Sequence, residues 1–358
     1  MIITSRRVAL LGSAGILAAP AIALAQTVTR VTLATAHTEG FLWVRYVKEA
    51  FLPTVNAELA RTGRHRIEWT EALGGTVSRP GSELENMEQG ITDCGTVMTV
   101  FHAAKMPLMN VTFAAPFGPT DAGLVMGAVD TLHERVPAFN QAWTRNGLVH
   151  LTSIGVDNYL LYTRFPITRL EDLNGRRIGG AGPNLLWLRG TGAVGVAGPA
   201  PAAYNNISSG VVEGYIFYHT GAAPLRFQEV APHVTTVDFG AMLVGALAVN
   251  RSRWDRFPEE VRAALRVGAR VYSERYRAAL AERTRSAEAE LRAAGARFSA
   301  LLTEDRERWI RQMPNPATEW AQQAASRNEP ARASLSAYTD AVAAAGFRFP
   351  RDFSAELA

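Results

Sequence analysis

The stretch from Ile167 to Tyr218 decides how this chain folds. It lies within PITRLEDLNGRRIGGAGPNLLW (166–187) and PAAYNNISSGVVEGYIFYH (201–219). Leu170-Glu171-Asp172-Leu173 forms a short helical turn that Asn174-Gly175 breaks. Arg176-Arg177-Ile178 then runs as a brief strand, and Gly179-Gly180-Ala181-Gly182 makes a loop opening a helix at Pro183. Pro201 to Ser209 reads as a second helix stopped by Gly210, and Val211-Val212 begin the next strand. Strand, loop, helix, strand, helix, strand is the order of a parallel α/β sheet.

Upstream, Met1 to Ala25 has the pattern of a signal peptide. Arg6-Arg7 precede the apolar run Val8 to Leu24, and Ala23-Leu24-Ala25 makes a small-x-small cleavage site before Gln26. Thr4-Ser5-Arg6-Arg7-Val8-Ala9-Leu10 also resembles a twin-arginine export signal. Gly12, Gly15 and Pro20 break the run too often for a comfortable membrane span. The chain carries a formal charge of +4, and removal of Arg6 and Arg7 leaves +2 for the mature part. No basic tract is interleaved with aromatics, so nothing marks a nucleic-acid binder. A hydrophobic fraction of 47% gives one large or two ordinary domains a real core. Cys94 is the only cysteine, which excludes an intrachain disulfide and reads as a buried structural thiol.

From Thr29 the elements alternate. Val31–Ala34 reads as the first strand, Phe41 to Arg61 as an amphipathic helix, and Ile67–Trp69 as a second strand. A helix over Ser82 to Gln89 closes at Gly90, and Cys94 to Val100 forms a third strand. The loop Thr76 to Gly81, with Pro80, is long for such a connection. Val149 to Ile154 and Tyr159 to Thr163 read as strands leaving a first domain, and Val237 to Asn250 as a second crossing. Val261, Leu265, Gly268, Tyr272, Tyr276 and Leu280 then recur at helical spacing, and the pattern persists to about Ala294. Glu304 to Ala324 and Ser334 to Ala345 read as outer helices.

Three motifs mislead. Gly190-Thr191-Gly192-Ala193-Val194-Gly195 satisfies G-x-G-x-x-G, yet it follows a helix and leads into a strand, the reverse of a dinucleotide site. The seven histidines show no metalloprotease spacing, and one cysteine cannot build a structural zinc site, so no metal or cofactor is expected. No G-x-S-x-G elbow supports a hydrolase nucleophile.

Two segments of the deciding stretch carry a resemblance. Asp172-Leu173-Asn174-Gly175-Arg176-Arg177-Ile178, followed by Tyr204 and then Gly210-Val211-Val212-Glu213-Gly214, resembles the solute-binding subunit of TRAP (tripartite ATP-independent periplasmic) transporters. Leu73-Gly74 after the second strand and the apolar Val111 to Phe117 fit the same family. The resemblance implies a two-lobed α/β periplasmic binding fold, type II-like, with a long helix spanning both lobes. It divides the chain into 26–152 plus 241–280, and 153–240 plus 281–358. It also implies a small organic anion as ligand and transporter membrane subunits as partners. A periplasmic sensor and an exported hydrolase or lyase are the competing classes.

The resemblance places ligand contacts on His37, Met98, Thr99, Tyr159, Gly179, Gly180, Phe217 and Tyr218. The carboxylate-gripping arginine usual in the family falls on Gly179, and a second falls near Tyr159, so the pocket is expected to be more aromatic and less cationic. Two substitutes for that arginine offer themselves. The Gly179–Gly182 loop could present backbone N–H groups at a helix start, and Arg189 could act as a side-chain anchor.

Overall fold

A computed structural model describes residues 26–357, and the expected signal segment lies outside the described residues. Among the described residues, eleven strands, numbered in chain order, form two sheets. The first has the order β2 (His65–Ala72), β1 (Thr27–Ala34), β3 (Cys94–Val97), β10 (Met242–Asn250), β4 (Leu148–Val156). β1 pairs in parallel with β2 and β3, whereas β10 runs antiparallel to both β3 and β4. All nine residues of β10 are buried, because it lies inside the sheet with both faces covered. The second sheet has the order β11 (Arg297–Ala300), β9 (His233–Thr236), β5 (Tyr159–Thr163), β8 (Gly214–Tyr218), β6 (Arg177–Gly180), β7 (Val194–Ala197). β6 pairs in parallel with β7 and β8, as the deciding stretch requires. The chain is therefore α/β with two sheets, each carrying its own helices.

The long helix runs over Glu259–Ala293, 35 residues, or roughly 52 Å at 1.5 Å per residue. Pro258 stands at its start, and Glu259 and Glu260 place negative charge on its positive end. Val261, Leu265, Gly268, Tyr272, Tyr276 and Leu280 are all buried, the stripe expected from their spacing. That stripe touches the helices Leu52–Ala60 and Ala122–Arg135 on the first sheet and the segment His219–Ala222 on the second. Tyr272 Oη donates to the carbonyl of Trp43 at 3.1 Å, and Tyr276 Oη donates to that of Gly155 at 2.5 Å. One helix thus ties both sheets together.

Several expected elements differ, each for a local reason. The helix expected over Phe41 to Arg61 is interrupted by a π-helical turn, Val47–Phe51, where Leu52 N–H reaches back to Val47. Pro53 follows at once and offers no N–H to continue the regular ladder. The helix expected from Glu304 to Ala324 is two, Thr303–Gln312 and Pro316–Ala325. Pro314 and Pro316 break it, and Asn315 Oδ1 accepts from Ala317 N–H to start the second. Helices Pro316–Ala325 and Ala331–Ala344, expected on the second lobe, pack instead on Val111–Ala114 and Ala122–Arg135 of the first. Trp320 Nε1 fastens this arrangement by donating to the Pro107 carbonyl at 2.7 Å. The strand expected over Cys94 to Val100 ends at Val97, and Thr99–Phe101 turn as a 3₁₀ helix.

Gly268 lies where the long helix packs closely on the segment Phe51–Val55. A Cβ there would stand 2.4 Å from Val55 Cγ2 and 3.2 Å from the Phe51 ring. Gly268→Leu is expected to lower unfolding stability by about 1–3 kcal/mol through overpacking. A urea melt checks this, with Gly127→Leu as the control because a Cβ at Gly127 meets nothing within 4 Å.

Candidate functional site

Two short strand-to-strand links cross between the sheets, the long helix making a later crossing, and the two links are bound to each other. β4 ends at Val156 and β5 starts at Tyr159, so Asp157-Asn158 is the first link; Val237–Ala241 is the return link from β9 to β10. Asn158 Nδ2 donates to Asp238 Oδ1 at 2.6 Å, and Gly240 N–H donates to Asn158 Oδ1 at 3.0 Å. Asp157 is buried and accepts from the backbone N–H groups of His219 at 2.9 Å and Thr220 at 3.3 Å. Burial raises its carboxyl pKa to about 6, against the pull of those hydrogen bonds.

Beside these links, at the C-terminal ends of β1, β3, β6 and β8, lies a cavity walled by both sheets. This is where open α/β sheets bind ligands. His37, Trp43 and Met98 come from the first side, and Tyr159, Asn184 and the run Tyr215–Tyr218 from the second. The walls are aromatic. Tyr159 sits opposite Tyr218 in the β5–β8 ladder, their rings 5.1 Å apart edge to face. Phe217 stacks on Tyr218 at 4.4 Å, and His37 and Trp43 meet at 5.5 Å. Among the described residues, no Asp, Glu, Lys or Arg lines this cavity. The void itself is about 30 Å³, room for about two waters. Anything larger needs more room than this space offers.

Wider openings flank it. One, about 590 Å³, lies between Thr38, Gly75 and Arg79 on the first side and Pro199, Asn205 and Leu225 on the second, and His37 borders both spaces. Arg79 stands on the long loop Thr76 to Gly81, is exposed, and makes no ion pair among the described residues. The other, about 430 Å³, is lined by Val100, Phe113, Pro183, Leu186 and Trp320.

The structure brings His37, Met98, Tyr159, Phe217 and Tyr218 to one cavity. Thr99 is buried one residue beyond Met98 and stands outside its lining. Gly179 and Gly180 are not loop residues but the end of β6. A Cβ on Gly179 would meet the Tyr215 ring at 2.3 Å, so Tyr215 fills the space a side chain at 179 would need. The segment after them, Gly182–Leu188, is a seven-residue 3₁₀ helix rather than the expected α-helix, too short for a useful dipole. Arg189 points away and pairs with Glu319 at 2.8 Å on the surface, which removes it as an anchor. Sequence reasoning missed Trp43 and Asn184. Trp43 looked like one more apolar helix residue, and Asn184 carried only the faint signal of a lone amide within GPNLLWL.

Comparison with known proteins agrees with this geometry. The family model of the bacterial extracellular solute-binding protein, family 7, matches residues 43–323. A TRAP periplasmic solute-binding protein from Desulfovibrio salexigens superposes with a TM-score of 0.73 at 19% identity, covering 90% of this chain and 98% of that one. A marine metagenome TRAP solute-binding protein specific for aromatic acid ligands, in complex with 3-hydroxybenzoate, gives 0.76 at 16%, covering 91% and 100%. A Bordetella pertussis extracytoplasmic solute receptor binding pyroglutamic acid gives 0.73 at 17%, covering 88% and 99%. These likenesses establish the fold: a two-lobed TRAP-type binding architecture.

Burial also sets the charge of the site's histidines. Desolvation lowers His37 and His219 each to about 4, so both are neutral at pH 7. His133 and His150, stacked at 3.9 Å elsewhere on the first lobe, are lowered by burial as well. An unfolded histidine takes up its proton near pH 6.5, so stability is intact above that value and falls as pH drops toward the folded value. His37 and His219 each lose about 2 kcal/mol by pH 5, while Asp157, raised rather than lowered, returns about 1. Thermal melts are expected to shift down from pH 7 to pH 5, and His37→Gln is expected to shift less.

Proposed function

The chain belongs to the bacterial extracellular solute-binding protein family 7, and from that membership we propose that it captures a small, flat organic acid between its lobes for a TRAP transporter. The observation that carries this reading is the cavity between the sheets, walled by Tyr159, Phe217, Tyr218 and Trp43 and lined by no charged side chain. Such walls favour an apolar or aromatic body through stacking and burial. The 3-hydroxybenzoate held by the metagenomic relative has that shape. A carboxylate pressed into the same cavity would lose its hydration with no counter-charge. The acid group therefore faces the opening where Arg79 stands.

Binding and release follow from the two links. Rotation at Asp157-Asn158 and Val237–Ala241 parts the lobes, the solute enters, and closure buries it between the rings. The closed form is what the membrane subunits of the transporter would recognise. On this reading the protein works in the periplasm, exported by the segment that ends at Ala25. His37, Met98, Tyr159, Phe217 and Tyr218 are its proposed ligand contacts, with Gly179 and Gly180 shaping the floor.

Calorimetric titration of the mature protein with a panel of aromatic and alicyclic monocarboxylates tests the proposal. Tyr159→Ala, Phe217→Ala and Tyr218→Ala are each expected to weaken the best panel acid at least tenfold, about 1.4 kcal/mol. Unchanged affinity in all three variants overturns the stacking role.

A further inference from the structure

Three side chains at the cavity have polar atoms buried without a hydrogen-bond partner among the described residues. They are Nδ1 of His37, Nε1 of Trp43, and both Nδ2 and Oδ1 of Asn184. Asn184 is 0% exposed, and His37 and Trp43 are 4% and 2% exposed. Orphaned buried polar atoms cost stability, and native structures keep few of them. Here they line one cavity, His37 and Trp43 from the first side and Asn184 from the second.

Their chemistry is specific. The Trp43 N–H only donates, whereas the Asn184 amide offers a donor and an acceptor side by side. His37 is neutral, so it adds no positive charge. A carboxylate brings acceptors alone and would leave Asn184 Oδ1 facing it unmatched. A carboxamide or lactam brings an adjacent C=O and N–H, the complement of an asparagine amide.

We infer that the inner end of the solute is an uncharged carboxamide or lactam, read by Asn184 with Trp43 donating to the same carbonyl. This rests on the reading of the cavity as the solute site. It deepens that reading by assigning the buried end of the ligand and naming Asn184 as the residue that sets specificity. Gly180 belongs to the same device, because a Cβ there would meet Asn184 Oδ1 at 2.3 Å and push the amide aside.

The test is calorimetry on the mature chain with matched pairs. Pairs are 3-carbamoylbenzoate against isophthalate, and pyroglutamate against cyclopentanecarboxylate. In at least one pair the amide member is expected to bind tenfold or more tighter. Asn184→Leu is expected to shrink that ratio below threefold with an unchanged or higher melting temperature, since the amide it removes had no partner. Trp43→Phe, which deletes only the N–H and keeps a ring, is expected to shrink it in the same direction. Equal or tighter binding of the amide-free members overturns the inference and leaves the binding function standing. A ratio that survives Asn184→Leu overturns it too. Failure of every probe to bind overturns both the inference and the acid-capture reading.

Discussion

Everything in this fold depends on two short links that join the sheets and are hydrogen-bonded to each other. Asn158 holds the return strand by donating to Asp238 and accepting from Gly240. Tyr159 then pairs with the same return segment, its N–H donating to Gly240 and its carbonyl accepting from Phe239. The two crossings are therefore held to each other as one strip beside the cavity, the place where the proposed hinge lies. Asp157 adds a second constraint, because its buried carboxylate accepts from Thr220 and His219 at the point where β8 ends. The strip is tied directly to the strand that presents Phe217 and Tyr218.

Away from the strip, the lobes meet through aromatic packing. Trp187 stacks on Phe113 at 5.6 Å and on Phe239 at 5.0 Å, and its N–H donates to the Phe113 carbonyl across the sheets. Trp309 completes the group by donating to the Trp187 carbonyl at 2.7 Å. Rings of this kind give large apolar burial with defined geometry, so they hold the lobes together more than the exposed Arg189–Glu319 ion pair at the edge does. The same property makes the adjoining cavity hospitable to a flat solute and hostile to an unpaired charge.

Much of this was legible in the chain itself. The parallel pairing of β6, β7 and β8 follows from the alternation of glycine stops and apolar runs between Asn174 and Tyr218. The long helix follows from the spacing of Val261 through Leu280. The resemblance brought Tyr159, Phe217 and Tyr218 together, though they are distant in sequence. What stayed hidden was set by tertiary contact. Nothing local says that the space at Gly179 is taken by Tyr215, which is 36 positions away and aligned only by strand register. Arg189 failed as an anchor for a similar reason: its partner, Glu319, sits on a helix that packs back from the far end of the chain. Pro314 and Pro316 on either side of Asn315 did announce the break in the outer helix, and a reading of one continuous helix passed over them.

The most direct measurement is a diffraction structure of the exported protein carrying the solute it retains through purification. The account predicts one flat molecule between Trp43 and the Phe217–Tyr218 pair, with its acid group toward Arg79. A solute seated instead in the opening lined by Val100, Leu186 and Trp320 would contradict it, and so would one whose acid group is buried between the rings, away from Arg79.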